Sequence, residues 1–220
     1  MGANTMKSQS FFVSSTALGL LIRANKLKAD GDDRAALALY FEVLERFGES
    51  AELLAAIADC YFSLALGNPD ETGENHEQAV SWMKRAIALA PNSPRLHAHL
   101  AQFYALGTLE YEQAAEEYRR AIELNPHDVW TLFNATSLHG VPEQVVTLEE
   151  AINWLERAVQ LEPDNPNYHA RLGEFYREAG RPLDAMREWI RALLCPRPLD
   201  PGYVQMVEEA IGIGKGTPTQ

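Results

Sequence analysis

Eight alanines of this chain fall into two columns. One reads Ala79, Ala114, Ala151, Ala185 and the other Ala86, Ala121, Ala158, Ala192. Both step by 35, 37 and 34 residues. Two columns sharing one set of steps mark a repeated unit, and repeats of this length are supersecondary elements that stack on their neighbours. The columns stand about two helical turns apart, so both alanines of a unit lie on one helix face.

The text around the columns extends the match. "YHARLGEFY" (168–176) parallels "LHAHLAQFY" (96–104). "LDAMREWIRALLCP" parallels "EQAAEEYRRAIELNP", "EEAINWLERAVQLEP" and "EQAVSWMKRAIALAP". Each unit therefore holds two helices. Helix A of the last unit places His169, Leu172, Gly173 and Tyr176 at i, i+3, i+4 and i+7, and helix B places Ala185, Trp189 and Ala192 likewise. Small residues at the crossing let two backbones approach, with aromatics filling the space beside them. Gly180 suits the end of helix A, and Pro91, Pro126 and Pro163 stop helix B. A fainter unit precedes these, with Ala24, Leu27, Gly31, Ala36, Tyr40 and Val43 in the same columns, and Ile57, Ala58 and Tyr61 complete the second. A hairpin of two helices cannot bury both faces alone; stacking supplies the partner.

The best-kept unit reads Leu172, Gly173, Tyr176, Gly180, Ala185, Trp189, Ala192 without a gap, and this pattern resembles the tetratricopeptide repeat (TPR) family over about 17–198. The resemblance implies an all-α, right-handed α-solenoid of helix-turn-helix repeats with a concave groove lined by the A helices. Five units are expected, at 17–50, 51–92, 93–127, 128–164 and 165–198. An N-terminal extension (1–16), partly disordered, precedes them. A capping helix (199–213), carrying Tyr203, Met206, Val207, Ala210 and Ile211 at helical spacing, and a flexible tail (214–220) follow. Two departures stand out. "GNPDETGENHEQ" (67–78) adds about nine residues and reads as a solvated loop. Unit four places His139 where the helix A Tyr belongs and lengthens its turn with "HGVPEQVVT".

Composition narrows the function. With 46% hydrophobic residues the chain can bury a core. A net charge of -12 disfavours nucleic acid and anionic membranes, which need clustered Lys and Arg. No apolar run is long enough to span a bilayer. Cys60 and Cys195 form no metal-ligand spacing and read as free thiols in a reducing, cytoplasmic setting.

Motifs for chemistry fail. "GIGKGT" (212–217) lacks the first Gly and the final Ser/Thr of a phosphate loop. His97 and His99, two apart on a helix, point to different sides and cannot share an ion. Glu116-Glu117 and Glu149-Glu150 read as solvated faces and first-turn charges. The chain is therefore expected to be no enzyme, with no cofactor and no metal.

The resemblance also implies which side chains face the groove. Unit three supplies Arg95, Ala98, His99, Gln102, Ala105 and Leu106. Unit four supplies Trp130, Phe133, Asn134 and Ser137. Unit five supplies Asn167, Ala170, Arg171, Glu174, Arg177 and Glu178. Among them Arg95, His99, Gln102, Trp130, Phe133, Asn134, Arg171 and Arg177 form the candidate site for a protein or peptide partner, since aromatics and arginines anchor interfaces. The expected function is a scaffold or adaptor that binds a partner's segment or helix. The alternatives are a co-chaperone-like binder of acidic C-terminal tails and a non-catalytic subunit of an enzyme complex. The carboxylate clamp of tail-binding relatives is incomplete: its positions hold Leu21, Asn25, Ala56, Arg95 and His99, or Ala98, Gln102, Asn134, Asn167 and Arg171, and the first Lys is missing from both. Self-association through the groove or the terminal caps is a further arrangement the sequence permits.

Overall fold

A computed structural model describes residues 15–67 and 72–212. The extension up to residue 14, residues 68–71 of the insertion, and the tail with most of "GIGKGT" lie outside the described residues. Every regular element among the described residues is helical. In chain order they are α1 (Ser15–Ala29), α2 (Asp33–Phe47), α3 (Ala51–Gly67), α4 (Thr72–Leu89), α5 (Pro94–Phe103), α6 (Tyr111–Leu124), α7 (Val129–Ala135), α8 (Leu148–Leu161), α9 (Pro166–Glu178), α10 (Pro182–Leu194) and α11 (Pro201–Ile211). A π-helical turn (Tyr104–Thr108) continues α5, and a 3-10 turn (Thr136–Gly140) continues α7. The chain forms two compact units, Met1–Pro91 and Asn92–Gln220.

The alanine columns lie at the centre of the packing: all eight are buried. Local chemistry sets the helix ends. At Gly180, with φ of 71°, the Arg181 N–H donates to Tyr176 O at 2.8 Å and the Gly180 N–H to Arg177 O at 3.1 Å. This double closure needs a residue tolerant of positive φ. At Gly31, with φ of 84°, the same closure recurs: the Asp32 N–H donates to Leu27 O and the Gly31 N–H to Lys28 O. Helix starts carry N-caps and prolines. Asp32 accepts from the Ala35 N–H and Thr147 from the Glu150 N–H, while Pro94, Pro166, Pro182 and Pro201 open their helices.

In the first unit, Ala24, Tyr40, Val43, Ile57 and Cys60 form a buried cluster. Burial raises the Cys60 thiol to about 12, so it is an inert core group. The Tyr40 hydroxyl donates to Asn25 Oδ1 at 2.5 Å, which commits that asparagine inside its own hairpin.

The expectation of a loop through residue 78 fails. Helix α4 already starts at Thr72, and Asn75 and His76 are buried, with the His76 ring 5.6 Å from that of Phe62. A polar, acid-rich stretch is helical here, with His76 set against Phe62 of α3.

Within the second unit the hairpins are α5–α6, α7–α8 and α9–α10. Trp189 is buried, and its indole N–H donates to Ala170 O at 3.2 Å across the last hairpin. Gly173 makes the approach possible: a Cβ there would stand 2.3 Å from Trp189 Nε1. Helix α11 packs on α9 and α10 with Val207 fully buried.

Candidate functional site

The A helices α5, α7 and α9 bury one stripe and leave another open. Helix α5 buries Leu96, Leu100 and Phe103 and leaves His99 and Gln102 half-exposed. Helix α7 buries Thr131, Leu132 and Ala135. It leaves Trp130 42% exposed and Phe133 and Asn134 half-exposed. Helix α9 leaves Arg171 and Glu174 half-exposed and Arg177 exposed. Three residues expected in the groove are buried instead: Ala98, Ala105 and Ala170. Their methyl groups fill helix contacts, and Ala170 also offers its carbonyl to Trp189.

Ring contacts join the three helices. His99 and Trp130 lie 6.0 Å apart, centroid to centroid, and Phe133 and Tyr168 lie 5.0 Å apart. Asn134 donates its amide to Trp130 O at 2.8 Å, within its own helix. Gln102 faces the open side of α5, and Arg95 lies exposed near its start. The expected site thus resolves into an aromatic cluster around Trp130 and a polar cluster further along.

The polar cluster lines a cleft of about 400 Å³ between the end of α7 and α9. Arg171, Arg177, His139 and Phe175 face it, together with Glu174 and Glu178. Arg171 pairs with Glu174 at 3.4 Å, lies 5.0 Å from the Phe175 ring and hydrogen-bonds Tyr203 of α11. Asn167, also expected to face a partner, accepts instead from the Asp200 N–H at 3.0 Å. The start of α11 therefore occupies the far end of the open face. Arg177 lies 5.8 Å from the Trp189 ring and so leans toward α10.

His139 was not expected to hold anything. Its Nδ1 faces Val146 O at 3.2 Å and its Nε2 faces Glu178 Oε1 at 2.9 Å, tying the long turn of repeat four to α9. The same turn is held from the other side by Arg119, which donates to Glu150 at 2.7 and 2.9 Å and to Val145 O at 2.7 Å.

Buried imidazole–carboxylate pairs are the larger omission. His97 Nδ1 meets Glu117 at 2.5 Å, and His169 Nδ1 meets Glu188 at 2.7 Å. Glu117 and Glu150 are thus paired rather than merely solvated. The signal was present in the sequence: the two histidines align in helix A, as do the two glutamates in helix B.

Residues 94–128 match the family model described as "Tetratricopeptide repeat", and residues 147–180 match one described as "TPR repeat". These two stretches match tetratricopeptide repeats, and the fold is an all-α repeat solenoid. Solved structures with this fold include MamA from Desulfovibrio magneticus RS-1, at 17% identity and a TM-score of 0.68 over 86% of this chain and 99% of that one. YrrB, described as a TPR protein with an unusual peptide-binding site, is 18% identical with a TM-score of 0.64, over 88% of this chain and 92% of that one. TTC0263, a thermophilic TPR protein of Thermus thermophilus, is 22% identical with a TM-score of 0.58, over 88% of this chain and 98% of that one. Among curated proteins, human Protein O-mannosyl-transferase TMTC1 is 31% identical over 120 residues. That match spans 52% of this chain and 13% of the human protein. No helix of the described residues is long and apolar enough to cross a membrane.

Proposed function

We propose that the open face of α5, α7 and α9 binds a segment of a partner protein, and that the chain acts as a non-enzymatic scaffold. Repeat solenoids present extended surfaces of this kind to other proteins. The observation that carries the reading is Trp130. It is a large aromatic, 42% exposed, set against His99 of the preceding repeat. Exposed aromatics flanked by polar groups are the usual anchors of interfaces. Gln102 and Asn134 lie on the same face, where side-chain amides reach a partner's backbone. Arg95 and the Arg171–Arg177 cleft supply charge for its carboxylates. YrrB, of the same fold, is described as having a peptide-binding site, which agrees with this reading. Binding of acidic tails is the weaker alternative, because Arg171 already has Glu174, Phe175 and Tyr203 around it.

The test is affinity capture from the source cell with the wild-type chain and with Trp130→Ala/Asn134→Ala/Arg95→Ala. The variant should keep its helical spectrum and melting temperature and lose the partner about thirtyfold, the loss typical of an anchor residue, about 2 kcal/mol. Full retention of the same partner by a folded variant removes the open face from consideration.

A further inference from the structure

The repeats provide an internal control for every B helix. Aligning α10 on α4, α6 and α8 through the alanine columns places Met186 and Leu193 on positions that are apolar in all four helices. Those positions pack inside the stack; in α6 they are Ala115 and Ile122, both buried. Leu183, Ile190 and Leu194 are different. The same three positions hold Glu, Lys and Ala in α4, Glu, Arg and Glu in α6, and Glu, Glu and Gln in α8. Only the last repeat turns this outer row apolar. The row is open: Leu183 is 82% exposed, Leu194 77% and Ile190 45%.

Helical geometry joins the two sets. At about 100° per residue, Leu183, Met186, Ile190, Leu193 and Leu194 fall within one arc of about 100°. Ala185, Glu188, Trp189 and Ala192 fall in the arc that packs on α9. A stripe with this spacing is the ridge on which a second helix seats. A contiguous apolar row on a soluble protein marks a contact.

The stripe's edge specifies the occupant. Arg187 and Arg191 run along one side of it, and both are exposed. Each gives one nitrogen to a carboxylate of its own helix, Arg187 to Asp184 at 3.2 Å and Arg191 to Glu188 at 2.7 Å. A guanidinium has five N–H donors, so each retains donors for another acid. Arg187 is also new to the last repeat; its counterparts are Ser, Glu and Asn. Over 165–198 the arginines outnumber the carboxylates, although the total charge of the chain is -12. A second copy seated on this row would add another -12 and, with the helices antiparallel, align arginine edge with arginine edge. We infer that the outer face of α10 docks an amphipathic helix of another protein, apolar along its contact stripe and acidic along its edge.

The full chain can be titrated by fluorescence anisotropy with two synthetic helical peptides of about 20 residues. Both carry Leu at i, i+3, i+4 and i+7; one is flanked by Glu and the other by Lys. The Glu-flanked peptide should bind about tenfold tighter at low salt, and the margin should shrink as salt rises. Leu183→Ser/Ile190→Ser should abolish binding with an unchanged melting temperature, since both side chains are exposed. Arg187→Glu should cut the preference at least about threefold. Trp130→Ala should leave this binding unchanged, which separates it from the face of α5, α7 and α9. Equal affinity for both peptides, or indifference to Leu183→Ser/Ile190→Ser, overturns the inference. So does a doubled mass in light scattering that those two substitutions abolish, because the occupant is then a second copy.

Discussion

Leu109 stands where Gly31 and Gly180 stand in their repeats, five residues before the first alanine column. The backbone keeps the demand that glycine meets elsewhere: φ at Leu109 is 56°. The chain reaches it through the π turn of Tyr104–Thr108, closed by the Glu110 N–H on Tyr104 O at 3.1 Å. A left-handed residue with a Cβ costs about 1–2 kcal/mol, and glycine's extra freedom in the unfolded chain returns about 0.5–1 kcal/mol of that. Leu109 is exposed, so its removal gives up little burial. Leu109→Gly should therefore stabilise the protein by about 0.5–1 kcal/mol. Urea denaturation with an unchanged m-value checks it, and a lowered midpoint would show that the π turn needs the leucine.

Between elements, the informative contact is His169. Its two ring nitrogens face Glu188 Oε2 at 2.7 Å and Pro163 O at 2.9 Å, and both partners are acceptors. Only the imidazolium donates to both. Burial pulls this histidine's pKa down; the hydrogen bonds to Glu188 and to the Pro163 carbonyl, with the charge of Glu188, outweigh it against the opposing charge of Arg191. The net direction is upward from 6.5. A raised folded pKa stabilises most below the unfolded value and loses that contribution as pH climbs through the folded one. The melting-temperature gap between wild type and His169→Gln should thus be widest below about pH 6 and narrow as pH rises above 6.5. A gap that widens with pH would mean the ring is neutral when folded. The sequence marks the two partners, as aligned histidines in helix A and aligned glutamates in helix B, but not their contact. Periodicity reports which side of a helix is covered, and it identified both alanine columns, Tyr176, Trp189 and the Gly180 turn from spacing alone. It does not report which buried polar group meets which. A glutamate in a charged helix such as α10 looks solvated until the crossing helix places a histidine over it. The start of α4 escaped for a related reason: "TGENHEQ" has loop composition, and periodicity does not report that His76 is set against Phe62 of α3. At the candidate site the aromatic face was legible, but the claim of α11 on Asn167 and Arg171 was not, because it joins segments that share no repeat.

A stack of similar hairpins distributes its stability differently from a single globular core. Within a compact unit each repeat touches its neighbours, so a defect is felt locally before it is felt globally. Ala158 is fully buried on α8, in the second alanine column, where side-chain volume sets the helix–helix distance. Ala158→Leu enlarges the side chain there and should cost about 1–3 kcal/mol by overpacking. The cost should appear by hydrogen exchange as faster exchange in α7 to α10, with protection in α1 to α3 close to wild type. Those helices belong to the other compact unit, Met1–Pro91. The pattern matters for function as well as folding. If the loss stays local, a partner that orders α7 and α9 can bind without changing the first unit, and the two units can hold different ligands independently. If exchange instead accelerates uniformly along the chain, the protein unfolds as one cooperative body. Binding at Trp130 would then be linked to every repeat through the common unfolding equilibrium.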